Sequence, residues 1–235
     1  MKGASLQAVF FDFDGVIADS EPLHLRAYQA VLQADGIDLD KTDYYGRYLG
    51  YDDVGLFEAL AHDRGLALTN DKIEQWVAMK SALIEDMLKS DSIVFAGAAG
   101  CVTMFAEQVP LAIASGALEP EIDLVLEHAG LRRHFAAIAS ASDGVRGKPA
   151  PDLYLLAIAK LQDRLPHPLN PAMCIAIEDS HWGLEAARGA GLRCVAVTHT
   201  YPAAELMKAD LVVDALSDVT ISKIEALMRD NGTAR

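Results

Sequence analysis

The sequence predicts an α/β fold, a parallel sheet covered by helices on both faces with a helical bundle inserted after the first strand. Three observations predict it. The apolar run Ala8-Val9-Phe10-Phe11 passes directly into Asp12-Phe13-Asp14-Gly15, so that a strand ends in two carboxylates and a glycine turn. From Ser20 to about residue 92 the patterning is helical, with no strand-like run. From Ala96 onward helical stretches alternate with short apolar runs, the rhythm of a parallel sheet with helical crossovers.

The elements follow in order. Ala8 to Phe11 is short and rich in Phe and Val, as a strand buried on both faces would be. Pro22 suits the first turn of a helix on which Leu23, Ala27, Val31 and Leu32 recur at helical spacing until Gly36. The tyrosine- and glycine-rich stretch from Asp43 to Asp53 reads as a short helix followed by a loop. A helix from about Asp53 to Arg64 is expected to bury Val54, Phe57, Leu60 and Ala61, and Thr69 or Asn70 caps a longer one running to about Lys89. The later strands are expected at Leu111 to Ala114, Ala136 to Ala139, Cys174 to Ile177, Cys194 to Val197 and Leu211 to Val213. Pro110, Gly130 and Gly191 punctuate the series. Residues 1–19 and 93–235 then form the α/β core domain and 20–92 a helical cap domain, with Asp230 to Arg235 frayed.

At 235 residues the chain is long enough for one large domain or a core with a smaller partner. Lysine and arginine number 20 against 34 aspartates and glutamates, a net charge of −14 with no basic cluster. This excludes nucleic acid, whose recognition begins with a basic footprint, and favours a metal cation. Cys101, Cys174 and Cys194 form no spaced set and read as buried thiols in a reducing compartment. Met1 to Gln7 carries one lysine and no apolar stretch, and no apolar run is long enough for a bilayer, so neither a signal peptide nor a membrane span is expected. The expected location is cytoplasmic.

In an open parallel sheet, ligands bind beyond the carboxyl ends of the strands. Asp12 and Asp14 stand there on the first strand. Alone they are equally an acidic cap leading into a turn, yet like charges so close raise each other's cost of ionisation unless a cation or a proton relieves them. The second strand ends in Ser115-Gly116, a hydroxyl and a glycine amide where a helix is about to start, which suits a phosphate oxygen or merely a helix cap. After the third strand Lys148 lies between Gly147 and Pro149-Ala150-Pro151, prolines that stiffen the backbone and aim the side chain. The fourth strand ends in Glu178-Asp179. If it lies beside the first, four carboxyl groups converge, and an all-oxygen set with room for water or phosphate suits magnesium.

These residues carry a resemblance to the haloacid dehalogenase superfamily, in its branch with a small helical cap inserted after the first strand, which includes β-phosphoglucomutases and many sugar-phosphate and phosphoglycolate phosphatases. Asp12-Phe13-Asp14-Gly15-Val16, Ser115 with Gly116, Lys148-Pro149 and Glu178-Asp179 follow the family's motifs in order, and Asp19-Ser20-Glu21-Pro22-Leu23-His24 is typical of the branch. The resemblance covers essentially the whole chain and implies a Rossmann-like core under that cap.

It also implies phosphoryl transfer with Asp12 as nucleophile, an aspartyl-phosphate intermediate and Asp14 as general acid and base. Mg²⁺ would be held by Asp12, the Asp14 carbonyl, Asp179 and Glu178. Lys148, Ser115 and Gly116 would complete the phosphate cradle. An Asp two positions after the nucleophile favours phosphate esters over halides or phosphonates. The branch places substrate contacts at His24, Lys80 and the Gly50 loop. Mutases of the branch carry basic groups near that glycine to hold a distal phosphate; here Leu49 and Asp53 stand there, and Arg47, the neighbouring cation, lies off the family's position. The expected function is therefore a magnesium-dependent phosphatase acting on a small phosphorylated metabolite, as monomer or dimer. A β-phosphoglucomutase is the alternative, and a non-catalytic binding protein on the same fold is disfavoured because every catalytic position is filled. His24 as a surface or hinge residue, Lys80 as a solvated helix charge, and Tyr44, Tyr45, Tyr48 and Tyr51 as packing residues are the plainer readings of the cap.

Overall fold

The computed structural model describes residues 5–90 and 93–229. The expected frayed end, Asp230 to Arg235, the start of the amino-terminal segment and the cap boundary at residue 92 lie outside the described residues. The chain divides into two compact units, Met1–Asp19 with Ser92–Arg235, and Ser20–Asp91.

The larger unit is built on a six-stranded parallel sheet in the order β3-β2-β1-β4-β5-β6. Its strands are β1 Ala8–Phe11, β2 Leu111–Ala114, β3 Phe135–Ala139, β4 Cys174–Glu178, β5 Arg193–Val197 and β6 Leu211–Val213. The sequence places β3, β4 and β5 within one residue of these ends. β1 is central and without solvent exposure, as expected of a strand with neighbours on both sides and helices on both faces. The helices are α5 Ala98–Ala106, α6 Glu119–His128, α7 Asp152–Gln162, α8 His181–Gly189 and α9 Ile221–Arg229.

One face of the sheet is lined largely by small side chains. Ala8, Ala112, Ala114, Ala176 and Ala196 alternate along their strands, and Leu153, Tyr154, Ala157 and Leu161 of α7 pack on them with Leu184, Ala186 and Ala187 of α8. Small residues on strand and helix let backbones approach, so α7 and α8 lie close enough for their side chains to reach the strand ends. Residues 17–19 and 93–95 are joined by Asp19 N–H to Ile93 O at 2.7 Å and Phe95 N–H to Ile17 O at 2.9 Å. This ties the chain after β1 to the chain before α5.

The helical unit contains α1 Glu21–Gln33, the single turn α2 Lys41–Asp43, α3 Asp53–Arg64 and α4 Asn70–Ser90. Pro22 sits in the first turn of α1, where its missing N–H costs nothing. After α2 the chain widens into a turn over Tyr44–Tyr48, in which Leu49 N–H donates to Tyr44 O at 2.9 Å. Asp52 caps α3 by accepting from Gly55 N–H at 2.7 Å, and Gly65, at φ +63°, ends it in the left-handed conformation. The unit's core gathers Tyr28, Val31 and Leu32 of α1, Leu56, Phe57 and Leu60 of α3, and Ile73 and Trp76 of α4. Val54, expected inside, is exposed, and Leu56 takes its place. The α3 stripe is rotated toward the residues that meet α1 and α4.

Tyr44 and Tyr48 are buried packing residues, whereas Tyr51 is exposed. Among the described residues no helix is long and apolar enough to cross a membrane. The three cysteines are free and buried, and burial pushes each thiol up to about 12. Phe57 is fully buried, with its ring 5.5 Å from Tyr28 and 5.1 Å from Trp76 between centroids. Phe57→Ala is expected to destabilise the helical unit by about 3–5 kcal/mol, read as a lower urea midpoint of its unfolding transition.

Candidate active site

Strand register builds the site. β1 and β4 are parallel neighbours, with Phe11 opposite Ile177, so that Asp12 and Glu178, each the next residue, emerge at the same level. Asp12 N–H donates to Ile177 O at 2.9 Å and continues the ladder one step past β1. On the other side of β1, Phe11 lies opposite Ile113, which brings Ser115 to the neighbouring strand end. Lys148 arrives from the loop between β3 and α7. Its Nζ lies 2.8 Å from Asp12 Oδ1 and 2.7 Å from Glu178 Oε1.

Asp12, Glu178 and Asp179 are all buried, and each offers an oxygen within 4.8 Å of the others. Burial, followed by the charge of Glu178, raises the Asp12 carboxyl well above its ordinary range, and Lys148 only partly offsets this. Asp179 is pushed up to about 7, first by burial and then by Glu178, against a hydrogen bond from Thr200. Burial by itself lowers the Lys148 ammonium, but Asp12 and Glu178 reverse this and leave it raised. Three carboxylates share one lysine, so the cluster is short of positive charge. The donor set is all oxygen and fits a hard divalent cation.

Asp14 follows in the loop and is half-buried. Gly15, at φ +73°, lets that loop turn, and a Cβ there would collide with the Asp179 carboxylate and lie 2.8 Å from Thr200 Oγ1. Ser115 is fully buried, and its Oγ accepts from Ala117 N–H at 3.0 Å. The helix expected directly after Gly116 begins at Glu119, because Pro120 fits only the first turn and draws the helix start to itself.

The remaining sequence-predicted residues belong to the helical unit. Lys80 is 4% exposed and donates to Asp53 Oδ1 at 2.8 Å, an oxygen that also accepts from the Tyr28 hydroxyl at 2.6 Å. The reading of Lys80 as a solvated helix charge is thereby corrected, since packing against Tyr28 removes it from water and Asp53 supplies its counter-charge. Arg47 is exposed and paired with Asp63. Gly50 is exposed, at φ +90°, and His24 is half-buried.

Four residues escaped the sequence reading. Thr200 bonds Asp179; His199 places Nδ1 2.9 Å from Gly15 O and stacks its ring on Phe95 at 4.1 Å. Both follow β5, which pairs with β4 through Glu178 and Ala196, so the rule that led to the other strand ends also pointed here. Tyr154 donates its hydroxyl to Glu178 Oε1 at 2.7 Å. Its signal was one hydroxyl on the otherwise apolar face of Leu153, Ala157 and Leu161. Gly183 has no sequence signal, but a Cβ there would collide with the Glu178 carboxylate.

Residues 6–191 match the haloacid dehalogenase-like hydrolase family, and the chain belongs to it. It is 30% identical to the fructose-1-phosphate phosphatase YqaB of Escherichia coli, over 80% of this chain and 95% of that one. It is also 30% identical to the β-phosphoglucomutase of Bacillus subtilis, over 92% of each chain. Among solved structures, CbbY from Rhodobacter sphaeroides, a variant in complex with xylulose-(1,5)bisphosphate, superposes with a TM-score of 0.78 at 25% identity, covering 91% of this chain and 96% of that one. Fold and family are those the sequence motifs led to expect.

Raised carboxyl groups bind protons more tightly in the folded than in the unfolded chain, so their favourable contribution is complete at low pH and lost as pH rises through the folded values. The raised ammonium of Lys148 titrates far above this window. The metal-free protein is therefore expected to lose thermal stability from about pH 4 to about pH 7, as Asp179 ionises. Added divalent cation should reverse that loss, and Asp179→Asn should flatten it; differential scanning calorimetry across this range checks both.

Proposed function

We propose that the protein is a magnesium-dependent phosphatase for a small phosphorylated metabolite of sugar-phosphate type. The observation that carries the reading is the Asp12 carboxylate beside the Lys148 ammonium, at 2.8 Å, within a buried all-oxygen cluster at the carboxyl end of the sheet. The family supports hydrolysis, and the phosphatase among the relatives supports a phosphorylated carbohydrate.

In this mechanism Asp12, Asp179, Glu178 and the Asp14 carbonyl would hold Mg²⁺, which when bound supplies charge to neutralise the phosphoryl oxygens. Asp12 attacks phosphorus, and the ester P–O bond breaks. Asp14 gives a proton to the leaving alkoxide, a poor leaving group without one. It then takes a proton from the water that attacks the aspartyl-phosphate, and inorganic phosphate leaves with Asp12 restored. Lys148 neutralises charge on the transferring group, and the Ser115 hydroxyl and Gly116 amide donate to its oxygens. His24, Arg47, Gly50 and Lys80 are proposed to contact the rest of the substrate.

The Lys80–Asp53 ion pair favours hydrolysis over the mutase reaction. The charge of Lys80 is already matched by Asp53, and an anion at that place disfavours a second phosphate. Arg47 is likewise committed to Asp63.

A screen of phosphorylated metabolites should find phosphate release that requires Mg²⁺ and is lost on chelation. Asp12→Asn should lower kcat by at least about 10³-fold, and Asp14→Asn by about 10²–10⁴-fold. Interconversion of β-glucose 1-phosphate and glucose 6-phosphate, primed by a bisphosphate and faster than phosphate release, would establish the mutase instead.

A further inference from the structure

Glu178 is fully buried, and both its oxygens are engaged. Oε1 accepts from Lys148 Nζ and from the Tyr154 hydroxyl, each at 2.7 Å. Oε2 accepts from Asp179 N–H at 3.3 Å and from Ser180 Oγ at 3.4 Å. Tyr154 is itself fully buried, in the middle of the apolar layer formed by α7 and α8. Its ring also faces the ammonium of Lys148, with Nζ 5.2 Å from the centroid. One side chain therefore meets Lys148 twice, through its ring and through the carboxylate they share.

We propose that Tyr154 is a positioning residue for the reaction, its hydroxyl fixing Glu178 and through it the placement of the Lys148 ammonium at Asp12. The proposal rests on the phosphatase reading above. Lys148 lies between two carboxylates at nearly equal distances, 2.8 Å to Asp12 and 2.7 Å to Glu178. How it divides between them depends on how much acceptor strength Glu178 retains. A donor from Tyr154 on the same oxygen takes up part of that strength and leaves the ammonium available to Asp12 and to charge developing on the phosphoryl group. Lys148 comes from the loop before α7 and Glu178 from the end of β4. The Tyr154 hydroxyl ties the helix that follows the lysine directly to the carboxylate.

A phenylalanine would fill the same space and leave the ring beneath the ammonium, so Tyr154→Phe removes only the hydroxyl. Glu178 Oε1 then keeps one donor and draws Lys148 away from Asp12. The expected result is a fall in kcat of about tenfold with KM within roughly twofold of wild type, because the loss is felt in the transition state rather than in binding. In protein labelled with ¹³C at lysine Cε, the Lys148 resonance, assigned by its absence from Lys148→Arg, should move in Tyr154→Phe while the other lysine resonances stay. An unchanged kcat in an active enzyme overturns the proposal. So does a fall in kcat without movement of the Lys148 resonance, or one matched by an equal loss of folded protein in thermal melts. A wild-type chain inactive on the whole metabolite panel defeats the phosphatase reading instead; the resonance then decides the positioning role alone, movement supporting it and its absence overturning it.

Discussion

The structure depends on mutual repulsion among carboxylates held away from water. Asp12, Glu178 and Asp179 are brought within 4.8 Å of one another at the ends of two central strands, where burial raises the cost of each negative charge. Lys148 offsets part of it. A buried site with more negative than positive charge, built wholly of oxygen donors, has the composition that fits a divalent cation, whose charge would offset the repulsion.

The rest of the larger unit keeps that cluster from relaxing. Parallel pairing of β1 with β4 sets Asp12 and Glu178 side by side, and a shift of one residue would turn one of them to the opposite face. Alanines on the strand face admit α7 and α8 at close range. Gly183 and Gly15 leave room for the Glu178 and Asp179 carboxylates where any Cβ would occupy it. Thr200 and Tyr154 then hold those carboxylates from the side. Backbone register, missing side chains and two hydroxyls thus combine to hold like charges together.

The helical unit solves a smaller version of the same problem. Lys80 is as buried as the core residues around it and is paired with Asp53, which also accepts from Tyr28. Such a pair contributes little net stability, but with the Tyr28 hydroxyl it links α4, α3 and α1, from which these three residues come. It also removes a cation that the sequence alone presents as free.

The sequence by itself determined the fold class and the strands, because apolar runs of four or five residues separated by helical stretches admit few solutions other than a covered parallel sheet. It also determined which residues stand at the ends of the first four strands, since ligand position in such sheets follows from topology. The tertiary structure decided what those residues touch. No spacing along the chain reveals that Tyr154 reaches Glu178, that Gly183 makes space for it, that Thr200 holds Asp179, or that Lys80 is neutralised by Asp53. Nor could it show that Val54 faces outward while Leu56 faces in. Hydrogen bonds and steric gaps between residues far apart in the chain arise only when the strands take their register and the helices settle on the sheet. The motifs at the other strand ends already turned the pair of aspartates after the first strand from an ambiguous turn into an expected site; the register of β1 against β4 decided that Asp12 stands beside Glu178 and Lys148.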